Sequence, residues 1–291
     1  MSAASVSPAR SDVFETLIPA RLDRLPWSRF HWMLVIGLGI TWILDGLEVT
    51  LMGAVSAVLQ RPDVLNFSGA EIGAISSAYL TGAVLGSLVF GHLTDRYGRR
   101  LFFFVSLALY LLGVGLTAFS WDLYSFAAFR FLTGAGIGGE YSAVNSAIDE
   151  LIPARLRGRI DLIINGSYWL GAAAGSASTL LILDPRVFPV NLGWRFGFGI
   201  GAVTGLAILY MRRFIPESPR WLFTHGYGED AEKTVREVEE EVARETGERL
   251  ADPPPEDAIR IRVRQDFGLA AILAPMLRKY RTRAILGLSL M

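Results

Sequence analysis

The chain of 291 residues contains no cysteine and little charge. The absence of cysteine excludes a disulfide framework and a thiolate metal site, and the three histidines, His31, His92 and His225, lie too far apart in the sequence to suggest a metal site. Charged residues form only 19% of the chain and their formal net charge is zero, so no nucleic-acid partner is predicted. The sequence also lacks a Ser/His/Asp set, a metal-ligand cluster and a phosphate-binding loop, so we expect neither an enzyme nor a cofactor.

Long apolar runs are present instead. Hydrophobic residues form 52% of the chain, which is typical of an integral membrane protein. A helix needs about 20 apolar residues to cross a hydrocarbon core of about 30 Å. Six runs reach this length, at about 30–58, 70–92, 101–120, 122–146, 160–183 and 194–214. They predict an all-α membrane protein with six transmembrane helices.

The hydrophilic stretches complete the predicted organisation. Residues 1–29 are expected to form an N-terminal tail, 30–214 the transmembrane bundle, 215–283 a linker with amphipathic helices, and 284–291 the start of a seventh span. Lysine and arginine, which are retained on the cytoplasmic side of membranes, concentrate in the tail, after the second and fourth spans, and in the linker. The sequence therefore predicts a multi-pass protein of the cell membrane whose N-terminus and linker are cytoplasmic.

Small residues recur at every fourth position on three predicted spans. The stripes are Ala74, Ala78, Gly82 and Gly86 on the second span, Ser167, Gly171, Gly175 and Thr179 on the fifth, and Gly197, Gly201 and Gly205 on the sixth. Helices in lipid gain little from the hydrophobic effect and associate through close packing at such stripes. The stripes therefore predict helix contacts within the bundle.

The linker has the period of an amphipathic helix over 229–249, because apolar residues recur there at helical spacing among charged ones. The apolar residues are Ala231, Val235, Val238 and Val242. A second short helix is expected at about 267–277, just before the seventh span.

Four ionisable residues fall inside predicted spans: Asp45 and Glu48 in the first, Arg130 and Glu140 in the fourth. Each costs roughly 2.5 to 3.5 kcal/mol on insertion scales, so such residues are candidates for function. At about 1.5 Å per residue, Asp45 lies about 19 Å from the outer end of its span, Glu48 about 15 Å and Arg130 about 13 Å. These depths allow Arg130 to pair with either carboxylate. Glu140 lies near the inner end of its span, which favours a gating or structural role over substrate contact.

The fifth span has one polar and aromatic side, formed by Asn165, Tyr168, Trp169 and Ser176. Such a side suits a water-filled cavity in which a substrate forms hydrogen bonds or stacks. The alternative is structural: an interhelical hydrogen bond from Asn165 and an interfacial position for Trp169.

Four motifs lie at the ends of the predicted spans. GHLTDRYGRR covers 91–100, Arg130 precedes a glycine run that ends in GGEY at 138–141, Glu150, Pro153, Arg157 and Gly158 follow the fourth span, and PESPRWL covers 216–222. In this order they resemble the motifs of the major facilitator superfamily, in its sugar-porter and metabolite:proton symporter branches.

The resemblance implies a fold of twelve helices in two halves, with substrate held between the halves, and each half is built from two inverted repeats of three helices. It covers the N-terminal half, so the chain is expected to be a fragment, a truncated product, or a half that pairs with a second six-helix half. It also implies that Asp45 and Arg130 couple proton binding to substrate binding. A carboxylate beside a guanidinium stays charged, and separating the two invites protonation.

A cytoplasmic gate network is implied by the same resemblance. In GHLTDRYGRR, Gly98 allows a tight turn, Asp95 suits a helix start, and the arginines supply charge-assisted partners. The next two cytoplasmic loops repeat the combination of acid and base, and the network is expected to latch the inner gate through ion pairs. Its expected members are Asp95, Arg96, Gly98, Arg99, Arg100, Glu150, Arg157, Glu217 and Arg220.

The leading interpretation is a secondary active transporter that moves a small polar metabolite, such as a sugar, organic acid or osmolyte, together with protons by alternating access. Its expected partners are that solute, protons, the lipid bilayer and, for a half that does not act alone, a second six-helix half. The alternatives are a uniporter of the same fold, a membrane sensor that does not transport, and an inactive truncated half.

Overall fold

A computed structural model describes residues 13–211, 216–248, 250–262, 274–276 and 278–290. A strand β1 (Val13–Thr16) and a short helix α1 (Ile18–Asp23) come first. Six long helices then lie over the six apolar runs: α2 (Arg29–Leu59), α3 (Gly69–Tyr97), α4 (Arg99–Thr117), α5 (Leu123–Leu151), α6 (Ala154–Ile182) and α7 (Val190–Met211). The last elements are α8 (Pro219–Thr224), α9 (Gly228–Thr246), a 3-10 turn (Pro255–Asp257), β2 (Ile259–Arg262) and α10 (Arg281–Leu290). The predicted all-α six-helix bundle is confirmed, with two short strands that were not predicted.

Local hydrogen bonds fix where helices begin and end. α3 starts after Ser68, whose hydroxyl accepts from the Glu71 amide at 3.3 Å while the Glu71 carboxylate accepts from the Ser68 amide at 2.7 Å. α5 starts after Asp122, whose carboxylate accepts from the Ser125 amide at 2.8 Å. Gly98 alone separates α3 from α4, and its φ of 109° is a conformation that favours glycine. Residues 91–100 (GHLTDRYGRR), where a tight turn at Gly98 was expected, are therefore helical except at Gly98, where the chain reverses.

The main helix contacts use the predicted stripes. α3 packs along α5, and α2 packs along α6. A side chain on Gly82 or Gly86 would overlap the α5 backbone near Ala135, and a side chain on Gly171 would overlap the α2 backbone at Ile43. In a fold of two inverted three-helix repeats, α2 corresponds to α5 and α3 corresponds to α6. The contact of α3 with α5 and the contact of α2 with α6 are therefore equivalent by the symmetry of the repeats. The stripes on α3 and α6 are thus confirmed as packing surfaces.

Replacing Gly171 with valine is expected to destabilise the bundle by about 1 to 3 kcal/mol, because the added carbons must displace the α2 backbone. Gly166 on the same helix is the matched control, since a side chain there would meet nothing within 4 Å. Thermal unfolding of both variants in detergent measures the difference. Equal melting temperatures for Gly171→Val and Gly166→Val would contradict the close packing.

Three of the described helices, α2, α3 and α4, are long and apolar enough to cross a membrane on length and composition alone. α5, α6 and α7 have 29, 29 and 22 residues, which is also about the length that a membrane span needs. α3 also exposes a row of aliphatic side chains one turn apart, with Leu80, Val84 and Leu88 between 57% and 62% exposed. An apolar row of this kind indicates a surface that contacts lipid or another helical body.

One end of the bundle, here called the linker face, holds α8 and α9 together with the starts of α2, α4 and α6. Four buried residues of α9, Ala231, Val235, Val238 and Val242, belong to the hydrophobic core at this end. The predicted amphipathic helix is therefore confirmed. α10 lies over the start of the predicted seventh span, whereas most of the short helix predicted at 267–277 lies outside the described residues.

An N-terminal segment (residues 13–25) is fastened to the linker. β1 pairs antiparallel with β2 over four residues. Arg21 donates to the carboxylate of Glu239 through Nε at 3.0 Å and Nη2 at 2.5 Å, and Arg24 donates to the same carboxylate at 2.6 Å. Leu25 is fully buried. Residues 13–25 of the predicted N-terminal tail therefore belong to the linker face.

We expect this attachment to hold at neutral pH and to weaken in acid. Burial is the largest single influence and raises the pKa of Glu239, but the hydrogen bonds from Arg21 and Arg24 and the positive charges of both arginines together outweigh it and hold the pKa below its usual value. A depressed folded-state pKa stabilises the attachment above the ordinary glutamate pKa of about 4.3, and this contribution is lost as the pH falls through the folded value. Spin labels on Ala20→Cys and Glu240→Cys should give a narrow distance distribution at pH 7 that broadens near pH 3.

Glu239→Gln should broaden the same distribution at pH 7, whereas the exposed Glu237→Gln on the same helix should leave it unchanged. A distribution that is identical at both pH values, or equally affected by both substitutions, would exclude this role for Glu239.

Candidate functional site

A buried ion pair joins α2 to α5. Arg130 Nη1 donates to Glu48 Oε1, and both residues are only 2% exposed. The guanidinium also lies over the ring of Tyr79 at 4.6 Å and beside Phe198 at 5.8 Å. Glu48 Oε2 and Arg130 Nε have no hydrogen-bond partner among the described residues. The two side chains are therefore joined by one ion-pair contact, while another polar atom of each lacks a hydrogen-bond partner among the described residues.

The sequence allowed Arg130 to pair with either carboxylate, and in the structure it pairs with Glu48 and not with Asp45, the partner that the family resemblance implied. Glu48 lies about one helical turn beyond Asp45 on α2, which is about 4.5 Å along the helix axis. Its depth in the bundle is therefore closer to that of Arg130 than the depth of Asp45 is. Among the described residues, Asp45 forms no ion pair.

Asp45 is held by two neutral hydroxyl groups instead. Tyr79 Oη on α3 donates to Asp45 Oδ1 at 3.0 Å, and Tyr141 Oη on α5 donates to Asp45 Oδ2. The Tyr141 ring stacks on Trp42, with centroids 4.5 Å apart and planes 13° from parallel. Asp45 itself is 2% exposed. A buried carboxylate therefore lies between three helices with both oxygens hydrogen-bonded and, among the described residues, with no cation in an ion pair with it.

Sequence reasoning missed both tyrosines, although each leaves a signal. Tyr141 follows Arg130 by about three turns of α5, which places the two side chains on one face of that helix. Tyr79 is the one aromatic residue in the stretch of small and aliphatic residues over 69–89.

A cavity of about 310 Å³ opens beside this group, between α2 and α3, in the half of the bundle away from the linker face. Its lining is mostly aliphatic, with a few polar groups. The lining residues are Val49, Met52, Gly53, Ser56, Ile72, Ile75, Ser76, Tyr79, Leu80 and Arg130. This volume and this mixture are typical of a site for a small molecule.

The remaining predicted site residues lie apart from that cavity. Glu140 is fully buried on α5, where its Oε1 accepts from the Ser106 hydroxyl of α4 at 2.6 Å, so it joins two helices. Asn165 donates to Asp161 of its own helix, to the carbonyl at 2.9 Å and the carboxylate at 3.0 Å. Among the described residues, Asn165 therefore bonds within α6, and the interhelical hydrogen bond considered for it is not seen.

Tyr168 and Trp169 differ in exposure. Trp169 is 73% exposed and its ring meets that of Tyr168 edge to face, with centroids 5.5 Å apart. Tyr168 is half-buried and near enough to Asp45 to interact with its charge. A second cavity of about 550 Å³ lies between α5 and α6 at the linker face, with Asn165 in its wall.

The linker face brings together most of the predicted gate residues. Arg99 Nη1 donates to Glu150 Oε1, and the Ser218 hydroxyl donates to Glu150 Oε2. Glu217 accepts from the backbone amides of Arg99 at 3.0 Å and Arg100 at 3.2 Å, next to Gly98. Glu217 thus satisfies amides at the start of α4, the position expected for Asp95.

The other predicted gate residues lie around this centre. Arg157 donates to the Ile152 carbonyl at 3.2 Å and contacts Asp23 at 3.4 Å. Asp95 ends up in the last turn of α3, where its carbonyl accepts from the Trp221 indole at 2.9 Å. The guanidinium of Arg96 lies 5.3 Å from the centre of the Tyr97 ring, and Arg220 is exposed. Among the described residues, the ion pairs of Arg99 and Arg157 join different segments of the chain, since Arg99 contacts Glu150 and Arg157 contacts Asp23.

The known proteins that resemble this chain are described as transporters or transport proteins. Residues 33–256 match the family described as "Sugar (and other) transporter". The chain is 29% identical over 220 residues to the niacin transporter NiaP of Acinetobacter baylyi, which covers 76% of this chain and 48% of that protein. It is 34% identical over 275 residues to the putative metabolite transport protein YdjK of Escherichia coli, which covers 92% and 56%.

Solved structures give the same fold. The proton:xylose symporter XylE of the major facilitator superfamily, bound to 6-bromo-6-deoxy-D-glucose, superposes with a TM-score of 0.63 at 20% identity, over 75% of this chain and 55% of that one. The chain spans about half the length of the curated relatives it matches.

Proposed function

Because the chain belongs to the sugar (and other) transporter family, whose members are multi-pass membrane transporters, we propose that it moves a small polar metabolite across the cell membrane together with a proton. In this proposal the linker face is cytoplasmic, which places the N-terminus and most of the arginines on that side. The proposed route for the solute passes the cavity between α2 and α3, and a second six-helix half supplies the opposite wall.

The observation that supports the proposal is that two buried carboxylates, one helical turn apart on α2, have partners of different charge. Glu48 is neutralised by Arg130, whereas Asp45 bonds to two neutral tyrosines and forms no ion pair among the described residues. A carboxylate in a low-dielectric site with no cation in contact is suited to take up a proton, while an ion-paired one is not. Asp45 is therefore the proposed proton site, and Glu48 with Arg130 forms the electrostatic wall beside the cavity.

The solute class is proposed from this cavity and from the relatives. A relative is a niacin transporter, and the superposed structure is a proton:xylose symporter, so both similar proteins act on small polar ring compounds. Ser56, Ser76 and Tyr79 offer hydroxyl groups to such a solute within an otherwise aliphatic wall. Glu150 with Arg99, and Glu217 at the start of α4, are proposed to close the linker face while the solute enters from the other side.

Uptake into proteoliposomes that contain the purified chain tests the function. Labelled niacin and xylose, with a panel of small organic acids and osmolytes, are supplied with and without an inward proton gradient. We expect at least one compound to accumulate above its external concentration only when the gradient is present. Equal uptake under both conditions would identify a uniporter, and binding without uptake of any compound would support the sensor.

A further inference from the structure

Tyr79 connects the two charged groups of the site. Its hydroxyl donates to Asp45 Oδ1 at 3.0 Å, the face of its ring lies 4.6 Å from the Arg130 guanidinium, and it lines the cavity between α2 and α3. One side chain thus contacts the proposed proton site, the ion pair and the space open to a solute. We propose that Tyr79 is the positioning residue that couples proton binding to solute binding: its hydroxyl bonds to ionised Asp45 when the cavity is empty, and to the solute once Asp45 is protonated.

The ionised and the protonated forms of the Asp45 carboxyl group differ in the hydrogen bonds that they can form. An ionised aspartate is an acceptor only, so both of its oxygens are satisfied by the two phenol hydroxyls seen here. When a proton binds at Oδ1, the resulting O–H group is a hydrogen-bond donor. Oδ1 then no longer has to accept a hydrogen bond from the Tyr79 hydroxyl. The only bond formed is O–H at Oδ1, and the proton comes from the aqueous side of the membrane. The released hydroxyl then needs an acceptor, because a buried donor left without a partner is costly.

Tyr79 and not Tyr141 is the hydroxyl that can leave. Tyr141 stacks on Trp42 at 4.5 Å and is not among the residues that line the cavity. Tyr79 does line it, so a solute oxygen in the cavity is the available new acceptor. A solute that takes this hydroxyl removes a donor from ionised Asp45 and thereby favours its protonation, and by reciprocity a bound proton favours the solute.

The other groups around Asp45 do not provide such an exchange. Besides Tyr79, the titratable and charged residues that interact with Asp45 are Tyr110 on α4, Arg130 and Tyr141 on α5 and Tyr168 on α6, and Glu48 lies one turn away on α2. Arg130 is held by Glu48, and Tyr110 is buried at 3% exposure away from the cavity lining. Of the described residues around Asp45, Tyr79 is the one that contacts both Asp45 and Arg130 and also lines the cavity.

Infrared difference spectroscopy of the chain in lipid films tests the exchange of hydrogen bonds directly. Bands that disappear in Asp45→Asn assign the carboxylate stretch of ionised Asp45 and the carbonyl stretch of its protonated form. In Tyr79→Phe, which keeps the ring and loses the hydroxyl, we expect the carboxylate band to shift and the carbonyl band to stay. In Tyr141→Phe both bands should shift. The exposed Tyr124→Phe is the matched control and should leave both bands in place. A Tyr79→Phe variant that shifts both bands, or neither, overturns the proposal.

Transport gives the second readout, and here the inference rests on the proposed function. For a compound that the unaltered chain accumulates, Tyr79→Phe should still exchange it in counterflow, with KM raised roughly threefold to tenfold from one lost hydrogen bond, but gradient-driven accumulation should be lost. Accumulation at the unaltered level, or equal loss of counterflow and accumulation in folded protein, overturns the coupling role of Tyr79. Absence of gradient-driven accumulation in the unaltered chain contradicts the proposed function itself, and the infrared result separates the two failures.

Discussion

Glu48→Gln is expected to destabilise the bundle by about 3 to 5 kcal/mol, because it removes one partner of a buried ion pair and leaves Arg130 charged between helices. The cost is the desolvation of an uncompensated guanidinium, since Arg130 stays protonated under ordinary conditions. Unfolding of the purified chain in detergent, followed by tryptophan fluorescence, measures the change.

Two further variants separate this cost from a local packing effect. The double variant Glu48→Gln with Arg130→Gln removes both charges and should recover most of the lost stability, since a neutral pair leaves no buried charge. The exposed pair of Arg61 and Asp63, 2.9 Å apart at 47% and 58% exposure, is the control, and Asp63→Asn should leave the unfolding midpoint unchanged. A double variant that is no more stable than Glu48→Gln would show that the ion pair is not the reason for the loss.

Asp45→Asn is expected to abolish gradient-driven accumulation while leaving counterflow of the same compound. Asparagine has the shape of aspartate and can still bond to Tyr79 and Tyr141, but it cannot bind a transported proton. Because Asp45 forms no ion pair among the described residues, its neutral substitute should fold with a stability close to that of the unaltered chain, unlike Glu48→Gln.

Comparing Asp45→Asn with Glu48→Gln distinguishes a carboxylate that carries the proton from one that stabilises the bundle. Uptake with and without a pH gradient measures coupling, and the melting temperature measures stability. Undiminished gradient-driven accumulation in Asp45→Asn would remove Asp45 from the proton pathway. A loss of stability as large as that of Glu48→Gln would show that the two carboxylates have the same structural role.

Features that depend on local periodicity could be predicted from the sequence. The apolar runs located α2 to α7, because helix length in a membrane is set by bilayer thickness. The glycine stripes on α3 and α6 located their contacts, since only residues without bulky side chains allow backbones to approach so closely. The apolar residues of α9 gave its buried face in the same way.

Features that depend on partner choice could not be predicted. Asp45 and Glu48 differ by about 4.5 Å along the helix axis, and an arginine side chain is long enough to reach either. The capping of α4 by Glu217 and the pairing of β1 with β2 join residues far apart in the sequence, and no local pattern in either segment identifies the other.

Proton movement that accompanies solute uptake tests the central claim most directly. Proteoliposomes loaded with a pH-sensitive dye are given a transported compound outside, at equal internal and external pH. We predict that the lumen acidifies as the compound enters through the unaltered chain and that this acidification is absent with Asp45→Asn. Entry of the compound with no change in internal pH, or the same acidification with Asp45→Asn, would contradict the claim that Asp45 carries the coupled proton.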